Sequence, residues 1–168
     1  AAVFGLLLLP LAAMIAILVK ITSRGAIIYR QARVGKHGRI FTLYKFRTMS
    51  ADGRGPLFTE ENDARITAFG KFLRFTHLDE LPQLWNILSG HVSLTGPRPE
   101  RVELAEKYRH LPYYDVRHIV KPGVTGWAQI NYKPSSSVEE AKEKLCHDIF
   151  YVKNRSLILD ILIIFKTI

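Results

Sequence analysis

Two adjacent carboxylates, Asp79 and Glu80, precede a run of residues whose apolar positions predict an amphipathic helix ending at Gly90. A structural reason for the pair is available, because Thr76 and Asp79 fit a capping box and the first turn of a helix favours carboxylates. A chemical role is the alternative, and it depends on the cations that the fold brings to the pair. The apolar positions of the predicted helix are Leu81, Leu84, Trp85 and Leu88.

Basic side chains suited to anion binding occur in two other motifs. Arg98 lies between Pro97 and Pro99, whose fixed φ angles stiffen the backbone that presents its guanidinium fork to an anion. Lys45 and Arg47 are two apart on a predicted strand and should point to the same face. An anionic nucleophile reaches an anionic phosphate only where cations neutralise the repulsion, so this combination suits phosphoryl chemistry. For Arg98, a rigid surface turn with a salt bridge is the alternative.

Residues 1–19, AAVFGLLLLPLAAMIAILV, contain no charged side chain and as a helix would extend about 28 Å, close to the thickness of bilayer hydrocarbon. A signal peptide is disfavoured by the lack of a basic start and of a cleavage site, and a buried core helix is the weaker alternative. Membrane insertion is therefore expected. Pro10 interrupts the run, as a kink in a spanning helix or as the break of a re-entrant hairpin.

The distribution of charge points to anionic partners. The 168 residues carry a formal net charge of +9, and no Asp or Glu occurs before Asp52. Such a basic block suits an anionic membrane face, phosphorylated ligands or nucleic acid, and it places the residues after the apolar segment in the cytoplasm. Cys146 is the only cysteine and the histidines lack zinc-like spacing, so neither a disulfide nor a structural zinc site is expected.

The remaining pattern predicts a mainly helical α/β fold with a small β-hairpin. Residues 26–49 form two β-prone runs around Gly35 to Gly38, and residues 50–64 are rich in turn formers. Ser137, three residues before Glu140, marks a helix start. The other predicted elements are a short amphipathic helix at 66–75, a charged helix at 99–110, a loop with extended pieces at 120–131, and an apolar helix at 156–168 that suits the core or a membrane interface.

Five motifs occur along the chain in this order: YRQARVGKHGRIFTLYKFRTM, LDELPQLWNILSG, SLTGPRPE, VKPGVTGWAQIN and HDIFYVKNRSLILD. In these motifs and their order the chain resembles the bacterial sugar transferase family, the polyprenyl-phosphate hexose-1-phosphate or monotopic phosphoglycosyl transferases. The resemblance covers essentially all of residues 1–168. The chain looks most like members attached to longer exopolysaccharide initiators, and because it begins without Met we expect a piece of a longer protein.

The resemblance implies an enzyme at the cytoplasmic face of the bacterial inner membrane. It would transfer a sugar 1-phosphate from a UDP-sugar to undecaprenyl phosphate, releasing UMP, and so initiate assembly of an exopolysaccharide or O-antigen-type glycan. It also implies a compact α/β domain, at residues 25–168, with amphipathic helices on the membrane lipids. Residues 1–24 would form a re-entrant membrane helix broken at Pro10.

Site residues are carried over from the family by motif. Asp79 would be the nucleophile that forms a covalent phosphosugar intermediate, with Glu80 as its partner, and both would hold Mg²⁺. Arg98 would bind phosphate, as would Lys45 and Arg47 on the argument given above. An Asp79 carboxylate at a helix N-terminus should stay ionised. Weaker candidates for nucleoside or sugar contacts are Gln129, Asn131 and Asp148, for which loop or capping roles are the alternative.

Two departures from the family pattern are evident. His91 stands where the family often has Asp, so a carboxylate role is absent there, and His77 replaces the usual Ser before the Asp-Glu pair. A membrane-tethered basic module that binds anionic lipid or nucleic acid is the competing hypothesis, whereas the family resemblance implies no nucleic acid. The sequence names neither the sugar nor the oligomeric state, and it is compatible with a homo-oligomer.

Overall fold

The computed structural model of the protein describes residues 2–50, 63–132 and 138–167. Its helices and strands confirm the mainly helical α/β prediction. The predicted helix start at Ser137 and most of the predicted loop at 50–64 lie outside the described residues. The elements are α1 (Ala2–Thr22), β1 (Ile28–Val34), β2 (Ile40–Phe46), α2 (Ala68–Phe75), α3 (Gln83–Leu88), β3 (Ser93–Thr95), α4 (Val102–Tyr108), β4 (Gly123–Thr125), α5 (Trp127–Asn131), α6 (Val138–Asn154) and α7 (Leu157–Thr167), with 3₁₀ turns at Lys36–Gly38, Leu78–Glu80 and Tyr114–His118.

The described chain divides into two compact units. The first comprises the residues up to Gln31 and those from Leu43 to Leu88. The second comprises Ala32–Thr42 and the residues from Ser89 onward. The predicted division at residue 24 concerns membrane insertion and stays a prediction.

Helix α1 supplies part of the core of the first unit. Ile15 and Val19, one helical turn apart, are buried against Phe46 and Leu73. Pro10 lies inside α1 and does not divide it into two helices, so the break predicted there is not seen as an end of the helix. Several other large apolar side chains of α1 are exposed: Leu7, Leu9, Met14, Ile17 and Ile21.

The structure bears on the membrane prediction through the length and apolar character of its helices. Among the residues that the structure describes, no helix combines the length and the apolar character needed to cross a bilayer. The re-entrant course of residues 1–24 stays a prediction.

The predicted short amphipathic helix is confirmed as α2. Leu73 is fully buried and Phe69 packs against the same cluster, whereas Phe72 is half exposed. Thr67 begins the helix, since its Oγ1 accepts a hydrogen bond from the Gly70 N–H at 2.9 Å.

The predicted hairpin is also confirmed. Strands β1 and β2 form a two-stranded sheet, and the turn Lys36–Gly38 joins them. His37 and Gly38 both have positive φ there, 55° and 73°, a conformation that a tight connection requires.

A parallel pair of short strands, which the sequence did not predict, lies in the second unit. β3 and β4 align Ser93 with Gly123 and Thr95 with Thr125. Their close approach requires glycine, because a Cβ at Gly123 would lie 2.2 Å from the Gly96 nitrogen. The sequence indicated only extended pieces here, since three-residue strands carry too little pattern to identify their partner.

Helices α4, α6 and α7 complete the second unit. Tyr108 and Leu145 belong to one buried cluster, and Tyr151 and Ile163 belong to another. The Tyr151 hydroxyl donates to Asp160 Oδ1 at 2.8 Å and so joins α6 to α7. The apolar final helix therefore has a core-facing residue, Ile163, while Leu157, Ile158 and Phe165 stay exposed.

Candidate active site

The carboxylate pair lies in a tight connection between α2 and α3. The Thr76 hydroxyl donates to the Phe72 carbonyl at 2.9 Å, so Thr76 ends α2. His77 then adopts the left-handed conformation, with φ 55°, and the 3₁₀ turn Leu78–Glu80 follows. The predicted capping box of Thr76 and Asp79 is therefore wrong, because the reversal of the chain at His77 precedes the turn.

Lys45 contacts both members of the pair. Its Nζ donates to Glu80 Oε1 and lies 3.8 Å from Asp79 Oδ2. All three side chains are largely buried, with at most 18% of their surface exposed. Because burial strengthens electrostatic interactions, the contact matters more here than a surface ion pair would.

Asn86 fixes the strand that carries Lys45. The Asn86 side chain is 1% exposed, and its Oδ1 accepts a hydrogen bond from the Tyr44 backbone N–H at 3.2 Å. Helix α3 is thereby tied to β2 next to Lys45. Sequence reasoning missed this role, because a single Asn within a helical pattern carries no signal of its partner.

The ionisation of Asp79 is balanced between opposing effects. Burial raises the pKa of Asp79 above its usual value, and the Lys45 ammonium is the strongest influence that lowers it. Glu80 raises this pKa further, whereas Arg74 and His77 lower it. The sequence predicted an ionised carboxylate at a helix N-terminus. In the structure the charge of Asp79 depends instead on Lys45.

Arg47 does not join Lys45 in an anion site. It follows β2 by one residue and is 9% exposed. Its guanidinium donates to the carbonyl of Ala26 and, at 2.7 Å, to that of Ser23, and a longer contact of 3.4 Å reaches the Val19 carbonyl. Arg47 therefore caps the end of α1, since its donors satisfy carbonyls at and beyond the last turn. The predicted phosphate role is corrected accordingly.

The predicted Mg²⁺ site rests on two adjacent carboxylates. Hard oxygen donors suit Mg²⁺, which proteins commonly hold through one or two carboxylates together with substrate phosphates and water. Asp79 and Glu80 fit that donor set. Across residues 2–50, 63–132 and 138–167, no group of three or more His, Cys, Asp or Glu side chains is placed to hold a metal ion. The pair would thus need further oxygens from substrate or solvent.

Arg98 lies in the second unit, in the turn between two buried prolines. The turn lines a small cavity together with His118 and Arg117. Burial, reinforced by the Arg117 charge, lowers the pKa of His118 to about 4, so this imidazole is neutral at physiological pH. The presentation of the Arg98 guanidinium to a phosphate stays a prediction.

The three weaker candidates have contacts within the protein. The Gln129 side-chain amide donates to the Val124 carbonyl at 2.9 Å, and that of Asn131 to the Trp127 carbonyl at 2.8 Å. Gln129 is partly buried and Asn131 is exposed, and a ligand role stays a prediction for both. Asp148 is 1% exposed and pairs with Arg117 at 2.9 Å. It is an interior ion-pair partner and not a ligand contact, which corrects that prediction.

The structure also shows the surroundings of His91 and His77, the two residues that depart from the family pattern. His91 is exposed, and its ring stacks on Phe41 with 5.7 Å between ring centroids. His77 lies beside the pair, where its charged form favours ionisation of Asp79.

Together these features define a candidate site in which a largely buried carboxylate pair is held against a lysine. The family model described as bacterial sugar transferase matches residues 1–168. The chain therefore belongs to the bacterial sugar transferase family.

Curated relatives extend this result. The chain is 44% identical over 162 residues to a UDP-N-acetylgalactosamine-undecaprenyl-phosphate N-acetylgalactosaminephosphotransferase of Aeromonas hydrophila, covering 95% of this chain and 38% of the relative. It is 42% identical over 168 residues to a UDP-glucose:undecaprenyl-phosphate glucose-1-phosphate transferase of Escherichia coli (strain K12), covering 97% and 36%. It is 39% identical over 172 residues to the exopolysaccharide production protein PSS of Rhizobium leguminosarum bv. phaseoli, covering 97% and 86%. The chain thus spans little more than a third of the first two relatives and most of the third.

Proposed function

We propose that this chain is the catalytic part of a phosphoglycosyl transferase that moves a sugar 1-phosphate from a UDP-sugar to undecaprenyl phosphate and releases UMP. The observation that carries the proposal is the buried Asp79 carboxylate held 3.8 Å from the Lys45 ammonium. The names of the Aeromonas and Escherichia relatives, which describe transfer of a sugar phosphate to undecaprenyl phosphate, support it. The product would begin assembly of an exopolysaccharide or O-antigen-type glycan.

The proposed reaction has two balanced displacements at one phosphorus atom. An Asp79 carboxylate oxygen attacks the β-phosphorus of the UDP-sugar, and the bond between that phosphorus and the bridging oxygen breaks as UMP leaves. A phosphate oxygen of undecaprenyl phosphate then attacks the same phosphorus. The new diphosphate bond forms as the bond to Asp79 breaks, which restores the carboxylate.

The surrounding residues have distinct proposed tasks. Lys45 keeps Asp79 ionised and reduces the repulsion between the carboxylate and the donor. Mg²⁺, held by Asp79 and Glu80, would when bound neutralise charge on the diphosphate. Arg98 is proposed to bind a substrate phosphate through its guanidinium.

A site for a lipid acceptor requires contact with the membrane, and we propose the cytoplasmic face of the bacterial inner membrane. Exposed apolar side chains on two helices support this, since they are suited to the boundary between headgroups and acyl chains. They are Leu9, Ile17 and Ile21 on α1, and Leu157, Ile158 and Phe165 on α7.

UMP release from a panel of UDP-sugars, measured with Mg²⁺ and undecaprenyl phosphate, tests the activity and identifies the sugar. Asp79→Asn is nearly isosteric and should abolish release while vesicle binding persists. Mass spectrometry after incubation with donor alone should detect a phosphosugar on the peptide containing Asp79. Unchanged turnover in Asp79→Asn would refute the assignment, and vesicle binding without any turnover in the wild type would favour the basic membrane module instead.

A further inference from the structure

The turn that carries Arg98 is held through its carbonyl groups. Pro97 and Pro99 have no amide hydrogen to donate, so their backbone can be fixed only through oxygen. Each of the four successive carbonyls from Pro97 to Glu100 accepts a hydrogen bond. The Pro97 carbonyl accepts from the Gly123 N–H at 3.0 Å, and the Arg98 carbonyl accepts from Arg117 Nη2 at 2.8 Å. The Pro99 carbonyl accepts from Arg33 Nη1 at 2.8 Å, and the Glu100 carbonyl accepts from the Val34 N–H at 3.0 Å.

Two of these donors are arginine side chains from distant parts of the sequence. Arg33 lies on β1, and Arg117 lies in the 3₁₀ turn Tyr114–His118. Arg117 is 4% exposed and forms ion pairs with Asp148 at 2.9 Å and with Glu100 at 3.3 Å. Lys144 pairs with Glu100 at 2.5 Å. Two positive and two negative side chains thus meet in the interior beside the turn.

Stability alone is a poor explanation for this buried network. Apolar residues of similar volume often replace buried ion pairs without loss of stability, because desolvation offsets much of the attraction. Glu100 nevertheless stays ionised in this network: although burial opposes ionisation, Arg117 and Lys144 lower the pKa of Glu100 to about 2, whereas burial raises the pKa of Asp148 above its usual value. Arg117, whose direction is fixed by its ion pairs with Glu100 and Asp148, donates from this network to the Arg98 carbonyl.

We propose that Arg117 and Arg33 are positioning residues, which clamp the carbonyls of Arg98 and Pro99 so that the Arg98 guanidinium meets a substrate phosphate in one orientation. This inference rests on the proposed function for its phosphate ligand. The clamp itself rests on the contacts within the second unit. Glu100 and Asp148 balance the charge of Arg117 and fix its direction.

A double-mutant cycle separates positioning from general stability. Arg117→Gln and Arg33→Gln should each lower kcat/KM for the UDP-sugar by about tenfold to a hundredfold, the size of loss expected from misplacing a binding group by about 1 Å. In an Arg98→Ala background the same substitutions should cost less than about threefold, because they act through Arg98. Arg109→Gln, at an exposed arginine just beyond α4, is the matched control.

Hydrogen exchange at the Gly123 and Val34 amides, which donate to the Pro97 and Glu100 carbonyls of the turn, gives a second readout that does not require turnover. Both variants should speed this exchange at least about tenfold while the control leaves it unchanged. Equal losses of kcat/KM with and without Arg98, or unchanged exchange, would overturn the clamp. If Arg117→Gln does not fold, Arg33→Gln decides the question. Wild-type protein without UMP release would instead count against the proposed function, and exchange would still test the clamp.

Discussion

The Nζ of Lys45 lies 3.8 Å from Oδ2 of Asp79, and the two residues come from a strand and a 3₁₀ turn 34 positions apart. Lys45 is thereby placed to counter the effect of burial on the proposed nucleophile. The ionisation of Asp79, which the proposed reaction requires, therefore depends on Lys45, a residue outside the Asp-Glu motif.

Lys45→Met should therefore shift the pH dependence of UMP release. Removing the ammonium raises the pKa of Asp79 further, so the protonated, unreactive form persists to higher pH. We expect at least about a tenfold loss at pH 7, partly recovered as pH increases. The measurement is kcat/KM against pH, with Lys71→Met, at an exposed lysine of α2, as control. An unshifted acid limb in Lys45→Met would contradict the role assigned to Lys45.

Asn86→Ala should destabilise the protein, because it removes the acceptor for the Tyr44 N–H. Loss of a partner for a buried amide costs about 1–3 kcal/mol, and urea unfolding measures it. Asn154→Ala is the control, since Asn154 is exposed and its side-chain amide donates one turn back, to the Phe150 carbonyl. Equal stability of the two variants would argue against a strand-fixing role for Asn86.

Arg47→Met distinguishes a structural arginine from a substrate-binding one. We expect a loss of about 2–4 kcal/mol in unfolding free energy, because carbonyls at the end of α1 lose charge-assisted donors. The KM for the UDP-sugar should change less than about twofold in the folded protein. A large rise in KM at wild-type stability would restore the phosphate role that the sequence suggested.

His118 should make stability depend on pH. Burial lowers its pKa to about 4, against 6.5 for an unperturbed histidine. The unfolded chain therefore binds the proton first as pH falls, and stability is lost between pH 6.5 and pH 4, by at most roughly 3 kcal/mol.

His118→Gln tests this window, since it should flatten the unfolding free energy between pH 6.5 and pH 4. His110→Gln, at an exposed histidine, should keep the wild-type slope. The same slope in both variants would show that other groups account for the loss.

Local features of the fold could be read from the sequence. Turn formers between two β-prone runs predicted the hairpin, and apolar spacing predicted α2, because these signals act over few residues. The dyad and the turn at Arg98 were found as motifs. The left-handed conformation of His77 was not predicted, because few non-glycine residues adopt it, even though histidine is enriched there, and the reversal of the chain requires it.

The partners of polar side chains that are distant in the sequence could not be predicted. The spacing of Lys45 and Arg47 predicted that both side chains lie on one face of a strand. The strand ends between them, so Lys45 contacts Asp79 whereas Arg47 donates to the Ser23 carbonyl. Arg117 lies in the 3₁₀ turn Tyr114–His118 and Asp148 lies in α6, far apart in the sequence, and no local pattern marks either residue as buried. Such partners are chosen by tertiary packing, which single-residue patterns do not encode.

The crowding at Gly123 affects how scanning mutagenesis of the PGVTG motif must be interpreted. An added methyl group there would meet main-chain atoms at 2.2 and 2.3 Å, and one at Gly126 would meet the Gly96 oxygen at 2.1 Å. Alanine at either position would force β3 and β4 apart, and with them the backbone that leads into Pro97. Inactive alanine variants at these two glycines would thus report wedged strands, not a lost contact with the sugar or its carrier.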